Sequence, residues 1–168
     1  LVPVLANAGT TLLGGRIMDA RGEWPLLPAG FAAIAAGFAL MAALAPTLSL
    51  LAAFIAALLI MGGTGFIFSP SQTAGLRTLP AEMNPFGVAI STTFVQIAAC
   101  IGPSLYTGIM STAQAGALAA GAGEALATAQ GFSIAMVVAA CIAAAGCALA
   151  LVYSRAAVKR DAKRAGSM

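Results

Sequence analysis

Long apolar runs alternate with short polar turns along the chain. Interpreted as membrane spans, these runs cover residues 1–14, 25–45, 48–72, 86–110 and 131–153. A transmembrane helix needs about 20 predominantly apolar residues, because the hydrocarbon core of a bilayer is about 30 Å thick. The first run is too short by that measure, so we expect it to continue a helix from the upstream part of a longer protein. The pattern predicts an all-α membrane protein with five transmembrane helices within residues 1–154.

The first connection is the densest cluster of charge before the C-terminal tail. Arg16, Asp19 and Arg21 lie there between Gly15 and Gly22. Charged residues and glycines between two apolar runs are typical of a tight turn, so residues 16–24 are predicted to leave and re-enter the bilayer. A longer external loop is expected at residues 111–130, an Ala/Gly-rich segment with a single charged residue.

The composition places the chain in lipid. Hydrophobic residues make up 61% of the chain and charged residues 8%, and the mean hydropathy is +0.99. A soluble domain has about 45–50% apolar and about 25% charged residues. A soluble fold of this length could not bury so much apolar surface, which excludes the soluble globular classes.

The basic residues fall on one side of the predicted membrane. If the five spans alternate in direction, all eight Lys and Arg residues face the same compartment. They are Arg16, Arg21, Arg77, Arg155, Lys159, Arg160, Lys163 and Arg164. Basic loops face the cytoplasm, so residues 155–168 are predicted to form a basic cytoplasmic tail. Topology therefore explains the net charge of +3, and no nucleic-acid partner is expected.

Polar side chains concentrate in the first, third and fourth spans. Thr92 and Gln96 fall on one stripe of the fourth span at helical spacing. Asn7 and Thr64 lie within other apolar runs, where polar side chains usually face protein or water. With Phe66, which could stack on a lipophilic compound, these residues are candidates for lining a substrate path. The alternative is interhelical hydrogen bonding, at about 0.6–2 kcal/mol per contact, and ordinary packing of the ring.

Small residues and prolines mark places where helices pack closely or bend. Small residues let helix backbones approach each other closely in a bilayer. For the glycine cluster of the third span, the alternative is a flexible point in a helix that lines a cavity. A proline inside a helix removes a hydrogen bond and bends it. The positions predicted to serve packing or kinking are Gly62, Gly63, Gly65, Pro70, Gly102 and Pro103.

The sequence contains no pattern typical of enzymatic or metal chemistry. It has no His, and its three Cys residues lie in apolar runs, where a thiol behaves as a small hydrophobe. Because no nucleophile–base pair or phosphate-binding loop is recognisable either, we expect a non-enzyme without cofactor or metal. No Asp, Glu, His, Lys or Arg lies in the middle of a predicted span. The proton-carrying group of a coupled transporter would therefore lie elsewhere in the protein.

The first connection resembles the loop motif of the major facilitator superfamily, which lies between the second and third helices of each half. The motif is carried by Gly15, Ile17, Asp19, Gly22 and Leu27. Ala20, Glu23 and Trp24 stand where the family motif has basic residues, and this degraded form is similar to the copy in the second half. The resemblance implies five helices of a six-helix C-terminal bundle. It also implies that Asp19, Arg16 and Arg21 form a gating latch; a solvated turn that only sets topology is the alternative.

A second stretch is similar to the fourteen-helix drug:proton antiporter branch of that superfamily. It is carried by Leu79, Pro80, Gly87, Val88, Ala89, Gln96, Ile101 and Gly102. Many relatives have Arg at the place of Gln96, so this chain lacks that charge. In that fold the second and fifth spans would lie outermost in lipid, the third would line the cavity, and the first and fourth would flank it. The distribution of polar residues predicts the same partition.

The resemblance implies a secondary active transporter of the bacterial inner membrane. We expect proton-coupled efflux of small lipophilic or cationic drug-like compounds by alternating access. The expected partners are the lipid bilayer, the N-terminal half of the same transporter, the small-molecule substrate and protons. Two alternatives remain open: uptake of a metabolite by a transporter of the same superfamily, and a non-transporting membrane scaffold or assembly subunit.

Overall fold

The computed structural model describes residues 2–21, 26–47, 49–77 and 79–165. Apart from short connections, this part of the chain is helical, and it contains no strand. The helices are α1 (Val2–Arg21), α2 (Leu26–Leu44), α3 (Leu50–Arg77), α4 (Asn84–Ala119) and α5 (Glu124–Ala165). Short 3₁₀ turns at Ala45–Thr47 and Ala81–Met83 precede α3 and α4.

Residues 111–130, for which an external loop is predicted, are mostly helical, so the connection is much shorter than predicted. Helix α4 continues to Ala119, and α5 begins at Glu124. Alanine is the strongest helix former, so the Ala-rich segment extends both helices. The chain turns only at Gly121, whose φ of 86° lies in the left-handed region. There the amide of Gly121 donates to the Leu118 carbonyl (3.0 Å) and that of Ala122 to the Ala117 carbonyl (3.1 Å), which closes α4 with a Schellman motif.

The turn expected at residues 16–24 is shorter than predicted, because α1 remains helical as far as Arg21. A glycine inside a helix costs only about 1 kcal/mol relative to alanine, so Gly14 and Gly15 do not end the helix. Helix α3 likewise extends beyond the predicted span to Arg77, with Pro70 inside it. The helix ends are thus known within the described residues, whereas the bilayer boundaries of the spans stay predictions.

Four helical stretches are long and apolar enough to cross a membrane. Among the described residues these are Leu26–Leu44, Leu50–Thr73, Ala81–Ala119 and Glu124–Arg155. Helix α1 is not among them, since it combines three polar side chains in its first half with Arg16, Asp19 and Arg21 near its end. The chain is a multi-pass membrane protein, and a fifth crossing by α1 remains a prediction.

The helices pack side by side in an order that differs from their order in the sequence. Helix α2 lies between α3 and α5, α1 packs on the other side of α3, and α4 packs on α5. Helices α3 and α4 meet only near their connection. The most buried apolar positions are small, including Ala56, Ala127, Ala135 and Ala139 at 0–2% exposure. Helix association in this bundle therefore relies on close backbone approach at small residues.

Helices α2 and α3 touch backbone to backbone at three glycines. A Cβ atom added at Gly63 would lie 2.6 Å from the carbonyl oxygen of Gly30, and one added at Gly37 would lie 3.0 Å from that of Ala56. Real Cβ atoms essentially never approach another heavy atom to under 3.0 Å. This crossing therefore requires glycine at Gly63, while neighbouring Gly62 has only an ordinary contact, 3.7 Å from Thr10 Cγ2.

Replacement of Gly63 by alanine should separate α2 from α3. We expect Gly63→Ala to lower the free energy of unfolding by about 1–3 kcal/mol, the usual cost of overpacking. Gly62→Ala is the matched control on the adjacent residue and should be neutral or stabilising by up to about 1 kcal/mol. Denaturation of the protein in mixed micelles measures both. Equal stability of the two variants would contradict the close crossing.

Candidate functional site

Asn7 joins α1 to α3 by two hydrogen bonds from its side-chain amide. Its Nδ2 donates to the carbonyl oxygen of Met61 at 2.8 Å and to Oγ1 of Thr64 at 2.9 Å. The Thr64 hydroxyl in turn donates within α3, to the Met61 carbonyl at 2.8 Å. Asn7 and Thr64 are both half-buried. Both donor hydrogens of the Asn7 amide are thereby used inside the protein.

The backbones of α1 and α3 come close directly beside these hydrogen bonds. A Cβ atom at Gly65 would lie 2.8 Å from the Asn7 carbonyl oxygen and would also clash with Thr10 Oγ1. Phe66 packs against the same interface, since a Cβ at Gly14 would lie 3.5 Å from its ring. Of the predicted path-lining residues, Asn7, Thr64 and Phe66 are thus brought together between two helices. Their arrangement fits interhelical hydrogen bonding and packing of the ring, which is the alternative to lining a substrate path.

The other two predicted path-lining residues lie on α4 and are exposed. Thr92 Oγ1 donates to the Val88 carbonyl of its own helix at 2.8 Å, and Gln96 lies one turn further on. No described residue of α4 is buried. Within the described residues α4 packs on α5 and meets α3 only briefly, without contact to α1. The polar stripe formed by Thr92 and Gln96 is therefore separate from the Asn7 cluster, which consists of Asn7, Thr64 and Phe66. The described part of the chain does not cover this stripe.

The predicted bending positions have different surroundings. Pro70 lies inside α3 and is completely buried. Because it has no N–H, Pro70 leaves the carbonyl four residues earlier, at Phe66, without its helical partner. Pro103 lies inside the long helix α4, and the neighbouring Gly102 has nothing within 4 Å of its added Cβ. Gly102 therefore has no close helix neighbour in the described chain.

The charged cluster of the first connection lies at the end of α1. Arg16 is exposed, and Gly15 has no neighbour within 4 Å of an added Cβ. Asp19 is helical and belongs to the last turn of α1. A carboxylate there is opposed by the helix dipole, whereas Arg16 and Arg21 are favoured. Gly22 and the side chains of Asp19 and Arg21 lie outside the described residues.

Two interhelical hydrogen bonds involve residues that sequence reasoning did not single out. Gln114 Nε2 donates to Thr128 Oγ1 at 2.9 Å, joining α4 to α5. Ser133 Oγ donates to the Ala42 carbonyl at 2.8 Å, joining α5 to α2. The sequence predicts an external loop around Gln114 and Thr128, and a loop prediction gives these two side chains no helical spacing. The sequence feature that indicates helices around Gln114 and Thr128 is the high helix propensity of the surrounding alanines.

Metal ligands are not gathered anywhere in the described part of the chain. No group of three or more His, Cys, Asp or Glu residues is placed to hold a metal ion there. Cys100 and Cys141 are exposed and Cys147 is half-buried, all with free thiols. The Cys147 thiol donates to the Pro28 carbonyl at 3.5 Å, so it serves as a contact between α5 and α2.

Curated bacterial proteins named lincomycin resistance protein LmrB are similar to parts of this chain. The protein of Listeria monocytogenes is 31% identical over 100 residues, which are 60% of this chain and 21% of that protein. That of Listeria innocua has the same identity and coverage. That of Bacillus subtilis is 42% identical over 55 residues, 33% of this chain and 12% of that protein. The aligned part of the chain thus spans about a fifth of the first two relatives. No protein-family model and no solved structure matches the chain.

The hydrogen bond between Asn7 and Thr64 should couple the two residues energetically. We expect Asn7→Ala to lower the free energy of unfolding by about 0.6–2 kcal/mol, the range for such bonds in lipid. In a double-mutant cycle with Thr64→Val, the losses of unfolding free energy in the two single variants should sum to more than the loss in the double variant. Thr11→Val is the control, because the Thr11 hydroxyl bonds only to the Asn7 carbonyl of its own helix. Strictly additive losses would show that the bond contributes nothing.

Proposed function

We propose that the chain is part of a membrane transporter that exports drug-like small molecules. The observation that carries this proposal is the similarity of a multi-pass helical protein to lincomycin resistance proteins over 60% of its length. Resistance at a membrane is achieved most directly when the compound is moved out of the cell. Because the match covers 21% of those relatives, the activity belongs to a longer protein of which these helices are one portion.

The uncovered polar stripe of α4 supports a role beside a substrate path. Thr92 and Gln96 are exposed although α4 is long and apolar enough to span a membrane. Polar side chains at membrane depth usually face protein or a water-filled cavity, because lipid cannot satisfy their hydrogen bonds. We infer that this face of α4 meets the N-terminal half of the transporter across the path, and that Gln96 contacts the substrate.

The Asn7 cluster has a different role in this proposal. Its amide is already bonded to Met61 and Thr64, so it holds α1 against α3 as one rigid unit. Transport by alternating access needs such units, because rigid bundles rock against one another around a central site. The C-terminal bundle of the major facilitator fold is the architecture we propose for this unit. Arg16, Asp19 and Arg21 would then act as a latch at its cytoplasmic end.

The coupling ion is proposed to be the proton, carried by a group in the remainder of the transporter. Within the described helices, acidic residues lie near the ends: Asp19 in the last turn of α1, Glu82 before α4, and Glu124 and Asp161 near the two ends of α5. A proton relay needs a titratable group inside the membrane. The described helices therefore supply polar contacts and rigid packing to the transporter.

The transport proposal is tested by drug accumulation in cells that carry the full-length gene. Loss of one neutral hydrogen bond to substrate costs about 0.5–1.5 kcal/mol, or about two- to tenfold in affinity. We therefore expect Thr92→Val and Gln96→Leu to raise intracellular lincomycin relative to the wild type. Thr112→Val is the matched control, since Thr112 is exposed and bonded to its own helix like Thr92 but lies about 160° around α4 from Gln96.

The outcomes of that experiment separate the alternatives. Unchanged accumulation after deletion of the gene would remove the efflux proposal and leave a scaffold. Lower accumulation after deletion would indicate uptake. Equal effects of Thr92→Val and Thr112→Val, at equal protein levels, would show that the stripe has no special role.

The proposed orientation places the C-terminus in the cytoplasm of a bacterial cell. A variant without native cysteines would carry either Ala120→Cys beside the α4–α5 turn or Ala162→Cys in the tail. We expect a membrane-impermeant maleimide to label Ala120→Cys in intact cells and Ala162→Cys only after permeabilisation. Labelling of both sites from outside, or of the tail alone, would contradict this topology.

A further inference from the structure

Helix α5 is longer than a bilayer is thick, and it continues without a break from Glu124 to Ala165. From Glu124 to Arg155, the next charged residue along the helix, it rises about 46 Å at about 1.5 Å per residue. A bilayer with its headgroup layers is about 40–45 Å thick. Because this stretch is long and apolar enough to cross a membrane, Glu124 and Arg155 lie at its two surfaces. Residues 156–165, the helical extension, continue about 15 Å beyond the second surface.

The basic residues of this end of α5 fall on one half of the helix circumference. On a scale of about 100° per residue that starts at Arg155, they occupy an arc of about 180°. In order around the helix they are Arg155, Lys159, Lys163, Arg160 and Arg164, at about 0°, 40°, 80°, 140° and 180°. The acidic residue of the extension, Asp161, falls at about 240°. This end of α5 therefore has a basic half and an opposite half without a basic residue.

The basic half continues the exposed face of α5 and not the face that packs on the bundle. Leu149 and Val152 are 72% and 66% exposed, and they lie at about 120° and 60° on the same scale. Ala150 and Ser154 are buried, and they lie at about 220° and 260°, on the side of Asp161. Large apolar side chains on the outside of a membrane bundle can face acyl chains, which are as apolar as leucine. The headgroups of those lipids then lie beside the basic half.

We propose that the basic half of α5, from Arg155 to Arg164, binds the headgroups of anionic phospholipids. Arg155 ends the apolar stretch at the membrane surface, and the other four basic residues follow within about 14 Å. This distance is less than two Debye lengths of about 8–10 Å each, so all five remain within reach of the surface charge. A cluster of four to eight Lys and Arg residues next to a transmembrane helix is typical of anionic-lipid binding. The contact does not rest on the proposed export, because it is measured without transport.

The test measures which lipid surrounds the extension in nanodiscs that contain the full-length protein. The native cysteines are replaced, and a bimane fluorophore is attached through Ala156→Cys, at about 100° in the middle of the basic half. The nanodiscs contain phosphatidylcholine and phosphatidylglycerol in constant proportion, and one of the two lipids carries a nitroxide near its headgroup that quenches the fluorophore at short range. We expect quenching that corresponds to about a fivefold local excess of phosphatidylglycerol, the effect of about one basic residue at an anionic surface.

Two variants with matched positions separate charge from other properties of the extension. Replacement of Lys159, Arg160, Lys163 and Arg164 by Gln should reduce the excess to below about twofold. Exchange of Lys for Arg and of Arg for Lys at the same four positions should preserve it. Added sodium chloride should remove the excess around the wild type, and sodium phosphate of equal ionic strength should act equally. Circular dichroism verifies that all variants are folded.

A second position of the fluorophore supplies the control at the other end of the bundle. Bimane at Ala120→Cys, beside the turn that precedes Glu124, should show no excess of phosphatidylglycerol. The proposal would be overturned by equal quenching by the two lipids at Ala156→Cys in the folded wild type, by an equal excess at Ala120→Cys, or by equal excesses in the Gln and exchange variants. A much stronger effect of phosphate than of chloride would overturn it too, because it would indicate a site for free phosphate.

Discussion

The whole bundle depends on how closely helix backbones can approach at small residues. In lipid, apolar side chains gain little by leaving the surrounding acyl chains, so packing and hydrogen bonds must hold the helices together. Helix α3 shows how this is achieved. Gly63 meets α2 and Gly65 meets α1, and two residues correspond to about 200° around a helix. The two glycines therefore open opposite sides of α3 to close neighbours.

Polar side chains then select one arrangement among the possible close packings. Each of three helix–helix contacts carries an interhelical hydrogen bond, with Asn7 between α1 and α3, Ser133 between α5 and α2, and Gln114 between α4 and α5. An unsatisfied polar group inside a bilayer is costly, so sliding one helix along the other is penalised where such a bond is lost. Small residues allow contact, and the hydrogen bonds define its register.

The two ends of the bundle differ in charge. Arg16 and Arg77 lie near the ends of α1 and α3, while Glu124 begins α5 at the other end. Among the described residues, the first end therefore carries charges of both signs, with Asp19 and Glu82 beside the arginines, and the other end carries a single acid.

Residue types alone identified much of the candidate site without identifying its contacts. Asn7 and Gln96 both stood out as polar residues in apolar runs. The structure places Asn7 in a satisfied interhelical contact and leaves Gln96 exposed on a helix with no buried residue. The difference arises from neighbours distant in the chain, because Met61 and Thr64 lie more than 50 residues from Asn7. A local pattern contains no information about such partners.

Composition and pattern are enough to show that the protein lies in a membrane and is helical, because an apolar chain in lipid must satisfy its backbone hydrogen bonds internally. They also show which segments are polar and where the cations cluster. The packed helices add that α3 lies between α1 and α2, and that residues 111–130 extend two helices around a tight turn at Gly121. The physical reason is that helices surrounded by lipid have little polar–apolar periodicity. Their neighbours are chosen by the fit of small residues, which becomes visible only when the helices are packed.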